Sequence, residues 1–258
     1  MLLVVTWLRD DVLGIDSLVR FSDLGAILTG AALIIGLMLA GVIADFKESE
    51  RLPAELAATL ETMGDALQSA HAAGKAGDLG DLLHDYDAIS ARVEDWFLNE
   101  NTSEDCYAAI EEITFITARL EQAGAAAGYL ARLLGEQHNL RRTVARIDTI
   151  RTTSFIQSGY ALLDLFVGTV LALLVMAGFD TTRLQFLVVG LLGLIYLYLA
   201  RLVRDLDNPF DYVDGVSRGG AEVSPAPVLA LQRRRRSSRR ATLSAAAGDT
   251  APEAAESG

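Results

Sequence analysis

Long apolar runs alternate along this chain with segments in which apolar residues recur every three or four positions. Three runs are nearly free of charge, at residues 24–44, 160–179 and 184–200. Each is close to the roughly 20 residues that an α-helix needs to cross a hydrocarbon core about 30 Å thick. The sequence therefore predicts three transmembrane helices, and Arg201 and Arg204 after the third can extend toward lipid headgroups.

The segment between the first two runs shows helical periodicity instead. Its three apolar stripes are Leu56, Leu60, Met63, Leu67 and Ala70; Leu82, Tyr86, Ile89, Val93 and Phe97; and Ile113, Ile116, Leu120, Ala123, Ala127, Leu130 and Leu134. Such spacing gives each helix one buried face. Thr102 and Asp105 resemble a capping box at the start of the third helix. This helix has no strong stop signal, so we expect it to continue toward Tyr160 and the second apolar run.

Together these patterns predict an all-α integral membrane protein with three transmembrane helices, a cytoplasmic helical bundle and a disordered C-terminal tail. The tail is expected to be disordered because it is rich in Ala, Ser, Arg, Gly and Glu and lacks apolar periodicity. The predicted divisions are an interfacial N-terminal segment (1–20), the first transmembrane helix (21–45), the bundle (46–158), a transmembrane hairpin (159–204), an acidic turn (205–215) and the tail (216–258).

The distribution of arginines predicts the orientation of the chain. The flanking arginines are Arg141, Arg142, Arg146 and Arg151 before the second apolar run, and Arg201 and Arg204 after the third. The turn between these two runs contains only Arg183. By the positive-inside rule, both ends of the hairpin lie in the cytoplasm. We therefore expect a multi-pass protein of the inner (cytoplasmic) membrane with a cytoplasmic C-terminus.

Two features inside the apolar runs are candidate functional sites. The first run carries small residues at every fourth position, at Ala32, Gly36, Ala40 and Ala44. This spacing lets two helix backbones approach closely, so the stripe predicts a packing face or a pore lining. The second run contains Asp164, and an acid within a membrane span faces water or a partner. It either lines an ion pathway, pairs with Arg201 or Arg204, or is solvated at the interface.

Composition and charge narrow the function classes. The chain of 258 residues has a net charge of −12, which argues against nucleic acid as a partner. A basic run in the tail is either a binding site for anionic lipid headgroups or a generic cytoplasmic retention signal. It comprises Arg233, Arg234, Arg235, Arg236, Arg239 and Arg240. The single cysteine, Cys106, excludes an intrachain disulfide and is expected to be buried.

No sequence feature predicts catalysis. The chain lacks a phosphate-binding loop, a dinucleotide fingerprint, a nucleophile elbow and a paired-cysteine motif. Asp81, His84 and Asp85 share one helix face, but further metal ligands are not visible and a solvated polar face is the expected role. We therefore predict a protein that is not an enzyme and has neither a cofactor nor a metal site.

The segment after the third apolar run carries a family resemblance. Its residues are Asp205, Asp207, Asn208, Pro209, Phe210 and Asp211. This placement of Asn-Pro-Phe, with the first apolar helix leading into Pro53 and the long helix before the hairpin, resembles the bestrophin-like bacterial membrane proteins, relatives of the bestrophin anion channels. The resemblance implies a homo-oligomer, a pentamer around a central pore. The chain departs from that family because it has three predicted spans rather than four, and a short acidic stretch that predicts no calcium site.

Two functions remain open at this stage. One is an oligomeric bestrophin-like ion channel that conducts anions, with the small-residue stripe lining the pore or packing subunits. The alternative is a non-conducting, membrane-anchored interaction protein whose helical bundle binds a cytoplasmic protein partner.

Overall fold

The computed structural model describes residues 19–73, 80–152, 157–179, 181–207, 209–210, 212 and 222–249. Within these residues the chain is almost entirely helical, which confirms the all-α prediction. The helices are α1 (Gly25–Ser49), α2 (Leu52–Ala72), α3 (Gly80–Phe97), α4 (Ser103–Gln122), α5 (Ala127–Thr152), α6 (Gln157–Met176), α7 (Thr182–Asp207) and α8 (Ala226–Asp249). A 3₁₀ turn at Phe21–Leu24 precedes α1, and two-residue strands β1 (Val19–Arg20) and β2 (Ala177–Gly178) pair in parallel.

The chain forms two compact units. The membrane unit comprises residues 1–48 and 150–210, and the bundle unit comprises residues 49–149 and 211–258. Three stretches of the described residues are long and apolar enough to cross a bilayer, within Phe21–Ala72, Gly159–Met176 and Thr182–Asp207. The three predicted membrane helices are therefore confirmed as apolar helices of sufficient length, in α1, α6 and α7.

The membrane unit buries one face of each of its three long helices. Its core includes Ile35 of α1, Leu163 and Leu174 of α6, and Val203 of α7, all with no exposed surface. The Tyr196 hydroxyl of α7 donates a hydrogen bond to the Leu28 carbonyl of α1 at 2.6 Å. This bond satisfies a polar group among apolar side chains and fixes α7 beside α1.

The bundle unit follows the predicted apolar stripes. Leu56 and Met63 of α2, and Val93 and Phe97 of α3, are completely buried. Pro53 occupies the first turn of α2, where its missing N–H removes no helical hydrogen bond. At the start of α4, the Thr102 side chain accepts a hydrogen bond from the Asp105 N–H at 3.2 Å, as the capping pattern predicts.

The third predicted bundle helix is interrupted, which corrects one expectation. The Gly124 N–H donates to the Glu121 carbonyl and the Ala125 N–H donates to the Leu120 carbonyl, both at 3.0 Å. This is the Schellman arrangement that ends α4. Gly124 adopts a φ of 77°, which glycine accepts without the steric cost that a side chain would add. The apolar spacing continues through Ala123 and Ala127, so periodicity alone did not reveal the break.

Two sequence predictions fall partly outside the described residues. Helix α5 ends at Thr152 and α6 begins at Gln157, and residues 153–156 between them are not described. The predicted continuity of the long helix toward Tyr160 therefore stays a prediction. The interfacial segment predicted at residues 1–20 lies outside the described part except for β1.

Part of the predicted C-terminal tail is described by the structure. Among its described residues, Ala226–Asp249 form α8. Val228 and Leu231 of this helix are buried, with at most 2% of each side chain exposed. Helix α8 packs on α2 and α3. Val228 and Leu231 alone form too short an apolar stripe to predict a helix from the sequence. The carboxylates that pair with the arginines of α8 are distant in sequence, so they gave no local signal either.

Candidate functional site

The small-residue stripe lies on a face of α1 that no described side chain of the same protein covers. Ala32, Gly36, Ala40 and Ala44 are all exposed. A Cβ atom added at Gly36 would meet no other atom within 4 Å. The structure therefore places all four predicted residues on one open helix face.

The opposite face of α1 is the one that packs within the membrane unit. Ala31 and Val42 are each 4% exposed and Ile35 is completely buried. These residues join the core formed with α6 and α7. Large apolar residues beside the stripe remain open, since Leu33 is 63% and Leu37 is 67% exposed. One face of helix α1 therefore packs against α6 and α7 of the same chain, and another face is available to lipid, solvent or a second subunit.

Asp164 forms an interhelical ion pair. Its carboxylate accepts a hydrogen bond from the Arg204 guanidinium, which joins α6 to α7. The guanidinium also lies 5.8 Å from the centre of the Tyr160 ring. Of the alternatives for Asp164, the structure shows pairing with Arg204. Both side chains keep about half of their surface exposed, 60% for Asp164 and 45% for Arg204.

The Asn-Pro-Phe motif is described only in part. Asp205 and Asp207 end α7, whereas Asn208 and Asp211 lie outside the described residues. Pro209 and Phe210 form a turn, and Phe210 is only 1% exposed. The Arg151 guanidinium lies 5.7 Å from the centre of the Phe210 ring, within the range of a cation–π contact. The aromatic residue of the motif thus anchors the chain after α7 beside the end of α5.

Two of the described arginines in the basic run form ion pairs with α2 and α3. Arg234 pairs with Glu61 at 3.1 Å, and Arg235 pairs with Asp87 at 2.7 Å and with Glu94 at 2.6 Å. Arg233 and Arg236 are exposed, and the side chains of Arg239 and Arg240 lie outside the described residues. Lipid binding by this run stays a prediction, and Arg234 and Arg235 already have carboxylate partners.

Glu94 is the most deeply buried carboxylate with a described cationic partner. It is 3% exposed, and it accepts hydrogen bonds from Arg235 and from the Ser90 hydroxyl at 3.0 Å. Burial raises the pKa of Glu94, while the Arg235 guanidinium acts in the opposite direction. Sequence reasoning missed this pair, although a glutamate next to Val93 on the buried stripe of α3 requires a cationic partner.

The described residues contain no group of three or more His, Cys, Asp and Glu side chains that could hold a metal ion. In the acidic segment of α3, Asp85 instead pairs with Arg119 of α4 at 2.8 Å. Cys106 is completely buried, as its residue type predicts.

The structure resembles solved structures of one kind of membrane protein. No protein-family model and no curated protein sequence matches the chain. A crystal structure of a bacterial bestrophin homologue from Klebsiella pneumoniae matches with a TM-score of 0.67 and 12% identity, over 90% of this chain and 93% of the homologue. Two single-residue variants of that homologue match with a TM-score of 0.68 and 12% identity, also over 90% of this chain and over 93% and 94% of theirs. The likeness confirms the resemblance at the level of architecture: this chain is a helical membrane protein with a bestrophin-like fold.

Proposed function

We propose that this protein is an oligomeric channel that conducts small anions across the inner (cytoplasmic) membrane. The observation that carries the proposal is the open face of α1, where four small residues follow one another at every fourth position. The bestrophin-like fold supports a channel, because it extends over nearly the whole of both chains. Anion preference and a pentameric assembly rest on the resemblance to bestrophins.

The open face of α1 has a physical reason to contact other copies of the chain. Lipid tails are as apolar as leucine, so helices associate in a bilayer through close packing rather than through the hydrophobic effect. Ala32, Gly36 and Ala40 offer that close approach, and no described side chain of the same chain packs against them. One α1 helix cannot enclose a pore, whereas a closed ring of identical copies can.

The arginines around the hairpin support the proposed orientation. Arg151 precedes α6, and Arg201 and Arg204 lie in the last two turns of α7. With these residues at the cytoplasmic surface, the bundle unit and the C-terminus are cytoplasmic as well.

The first experiment is halide flux into liposomes that contain the purified protein, with the oligomeric mass measured in the same preparation. A closed oligomer with flux well above that of protein-free liposomes is the expected result. A monomer without flux would contradict the proposal.

A matched pair of variants assigns the flux to α1. Gly36 of α1 and Gly168 of α6 are both exposed helical glycines, and a Cβ at either would meet nothing within 4 Å. Gly36→Leu should lower flux at least about tenfold or break the oligomer, because it adds bulk to the proposed contact face. Gly168→Leu should leave the flux and the oligomeric mass unchanged. Equal effects of the two substitutions would remove the assignment to α1.

A second candidate function has its own observation. Two large apolar side chains remain open on the bundle unit, since Phe115 is 70% and Leu134 is 48% exposed. A non-conducting anchor that binds a cytoplasmic protein would use such residues. In that case Phe115→Ser would abolish the recovery of one stoichiometric partner with the full-length protein, and liposomes would show no flux.

A further inference from the structure

A cleft with a volume of about 630 Å³ opens on the bundle unit between α2, α3 and α8. This volume lies within the roughly 300–1,000 Å³ of pockets that hold small organic molecules. Leu60, Leu83 and Leu231 each line it from a different helix. The cleft therefore combines an apolar surface with contributions from all three helices, and it stands independently of the proposed channel function.

Among the described residues, the carboxylates of the cleft outnumber its guanidiniums. Three carboxylates, Glu61, Asp65 and Asp87, line the cleft with two guanidiniums, Arg234 and Arg235, and with the imidazoles of His71 and His84. Each arginine is already paired, Arg234 with Glu61 at 3.1 Å and Arg235 with Asp87 at 2.7 Å. These pairs neutralise the two cations, which removes the main attraction for an anionic ligand.

Asp65 is the carboxylate without a counter-ion. It is exposed on α2, and among the described residues it has neither an ion pair nor a hydrogen bond. Gln68 lies one helical turn after Asp65 and also lines the cleft. Its side-chain amide can accept or donate a hydrogen bond. An ammonium or guanidinium group placed here would gain a charge-assisted hydrogen bond from Asp65.

Tyr86 contributes a small neutral aromatic surface to the cleft, since only 4% of this residue is exposed. Its hydroxyl donates to the Leu60 carbonyl, and burial raises the pKa of Tyr86 so that it stays protonated. A Cβ atom at Gly64 would lie 3.4 Å from the ring atom Cε1 of Tyr86, so glycine keeps the space beside the ring open. The apolar part of a ligand would pack against this surface.

We propose that this cleft binds a small organic cation, a molecule with an apolar body and one primary ammonium or guanidinium group, with Asp65 as its counter-ion. A metal ion fits less well, because the described residues contain no cluster of three potential ligands. Since α8 forms one wall through Leu231, the bound cation contacts α2, α3 and α8 together. Ligand binding therefore also stabilises the docking of α8 on the bundle.

The test uses the full-length protein in lipid nanodiscs and three probes of one shape: benzylamine, benzyl alcohol and benzoate. Isothermal titration at pH 7.5 should show saturable binding of benzylamine at one site per chain, with benzyl alcohol and benzoate at least about tenfold weaker. Preference for benzoate, or equal binding of benzylamine and benzyl alcohol, would overturn the proposal.

Two cleft variants and one control locate the site. Asp65→Asn should weaken benzylamine binding at least about tenfold and leave the unfolding midpoint of the ligand-free protein unchanged, because Asp65 has no partner among the described residues. Gln68→Trp should block binding by filling the cleft. Glu111→Gln removes one exposed carboxylate of α4 outside the cleft and should bind benzylamine as the unchanged protein does. Unchanged binding by both cleft variants would also overturn the proposal.

Discussion

Among the described residues, most of the exposed large apolar side chains belong to the membrane unit, whereas most of those in the bundle unit are buried. In the bundle unit, Trp96, Phe97 and Leu56 are at most 1% exposed. In the membrane unit, Leu33 and Leu187 are 63% and 64% exposed, and the uncovered stripe of α1 consists of alanine and glycine. An apolar face therefore indicates a buried core in the water-exposed bundle unit, but it can face lipid in the membrane unit. Burial stabilises a bundle in water, whereas close packing of small residues selects contacts in lipid.

The largest expected difference between the two units comes from replacing one leucine in each unit by alanine. Leu56→Ala should cost about 3 kcal/mol of unfolding free energy, because it removes a completely buried side chain and leaves a cavity. Leu187→Ala should cost less than about 0.5 kcal/mol, because its side chain stays exposed to detergent or lipid. Urea midpoints of the two variants in one detergent measure the difference, and equal losses would break the contrast.

The next largest effect concerns the buried ion pair of the bundle unit. Arg235→Leu leaves Glu94 buried without its guanidinium and should cost about 2 kcal/mol at pH 7. It should also raise the pKa of Glu94 further, because burial is the main cause of the existing shift. A carboxyl with a raised folded-state pKa contributes stability below its ordinary value of 4.5, and this stability is lost as the pH rises through the raised value.

The deficit of Arg235→Leu should therefore be largest at pH 7 and should shrink as the pH falls toward 4.5. Urea midpoints at several pH values measure this dependence. Arg233→Leu is the control, since it removes an exposed arginine of the same run. A deficit that is constant across this pH range would contradict the assignment to Glu94.

The ion pair of the membrane unit should give the smallest effect. Asp164→Asn breaks the contact with Arg204, but both side chains are about half exposed, so the expected loss is at most about 1 kcal/mol. The midpoint difference should decrease at high salt because the exposed pair is screened. A loss as large as that of Arg235→Leu would show that this pair is desolvated in the assembled protein.

Sequence patterns predicted the elements better than the contacts between them. The membrane helices were found because charge-free runs of about 20 residues are distinctive, and α2 and α3 because their stripes are regular. The end of α4 was missed because Ala123 and Ala127 continue the apolar spacing across Gly124. The positive φ of Gly124 ends the helix, and apolar spacing does not report backbone conformation.

Helix α8, its ion pairs with α2 and α3, and the cleft beside it were missed for another reason. Arg235 and Glu94 are separated by 141 positions, and no local pattern connects them. The basic run suggested a lipid surface because its acidic partners, Glu61 and Asp87, belong to other helices. The cleft depends on the same long-range packing and was not predicted.

The most direct test of the central claim, that the open face of α1 lines or seals a pore between subunits, is block of halide flux by a thiol reagent. Cys106 is the only cysteine of the chain and is completely buried, so a new surface cysteine is the only accessible thiol. Gly36→Cys should conduct and then lose most of its flux on treatment with a charged methanethiosulfonate reagent, whereas Gly168→Cys should keep its flux. Flux that persists in treated Gly36→Cys, with labelling confirmed by mass spectrometry, would contradict the claim.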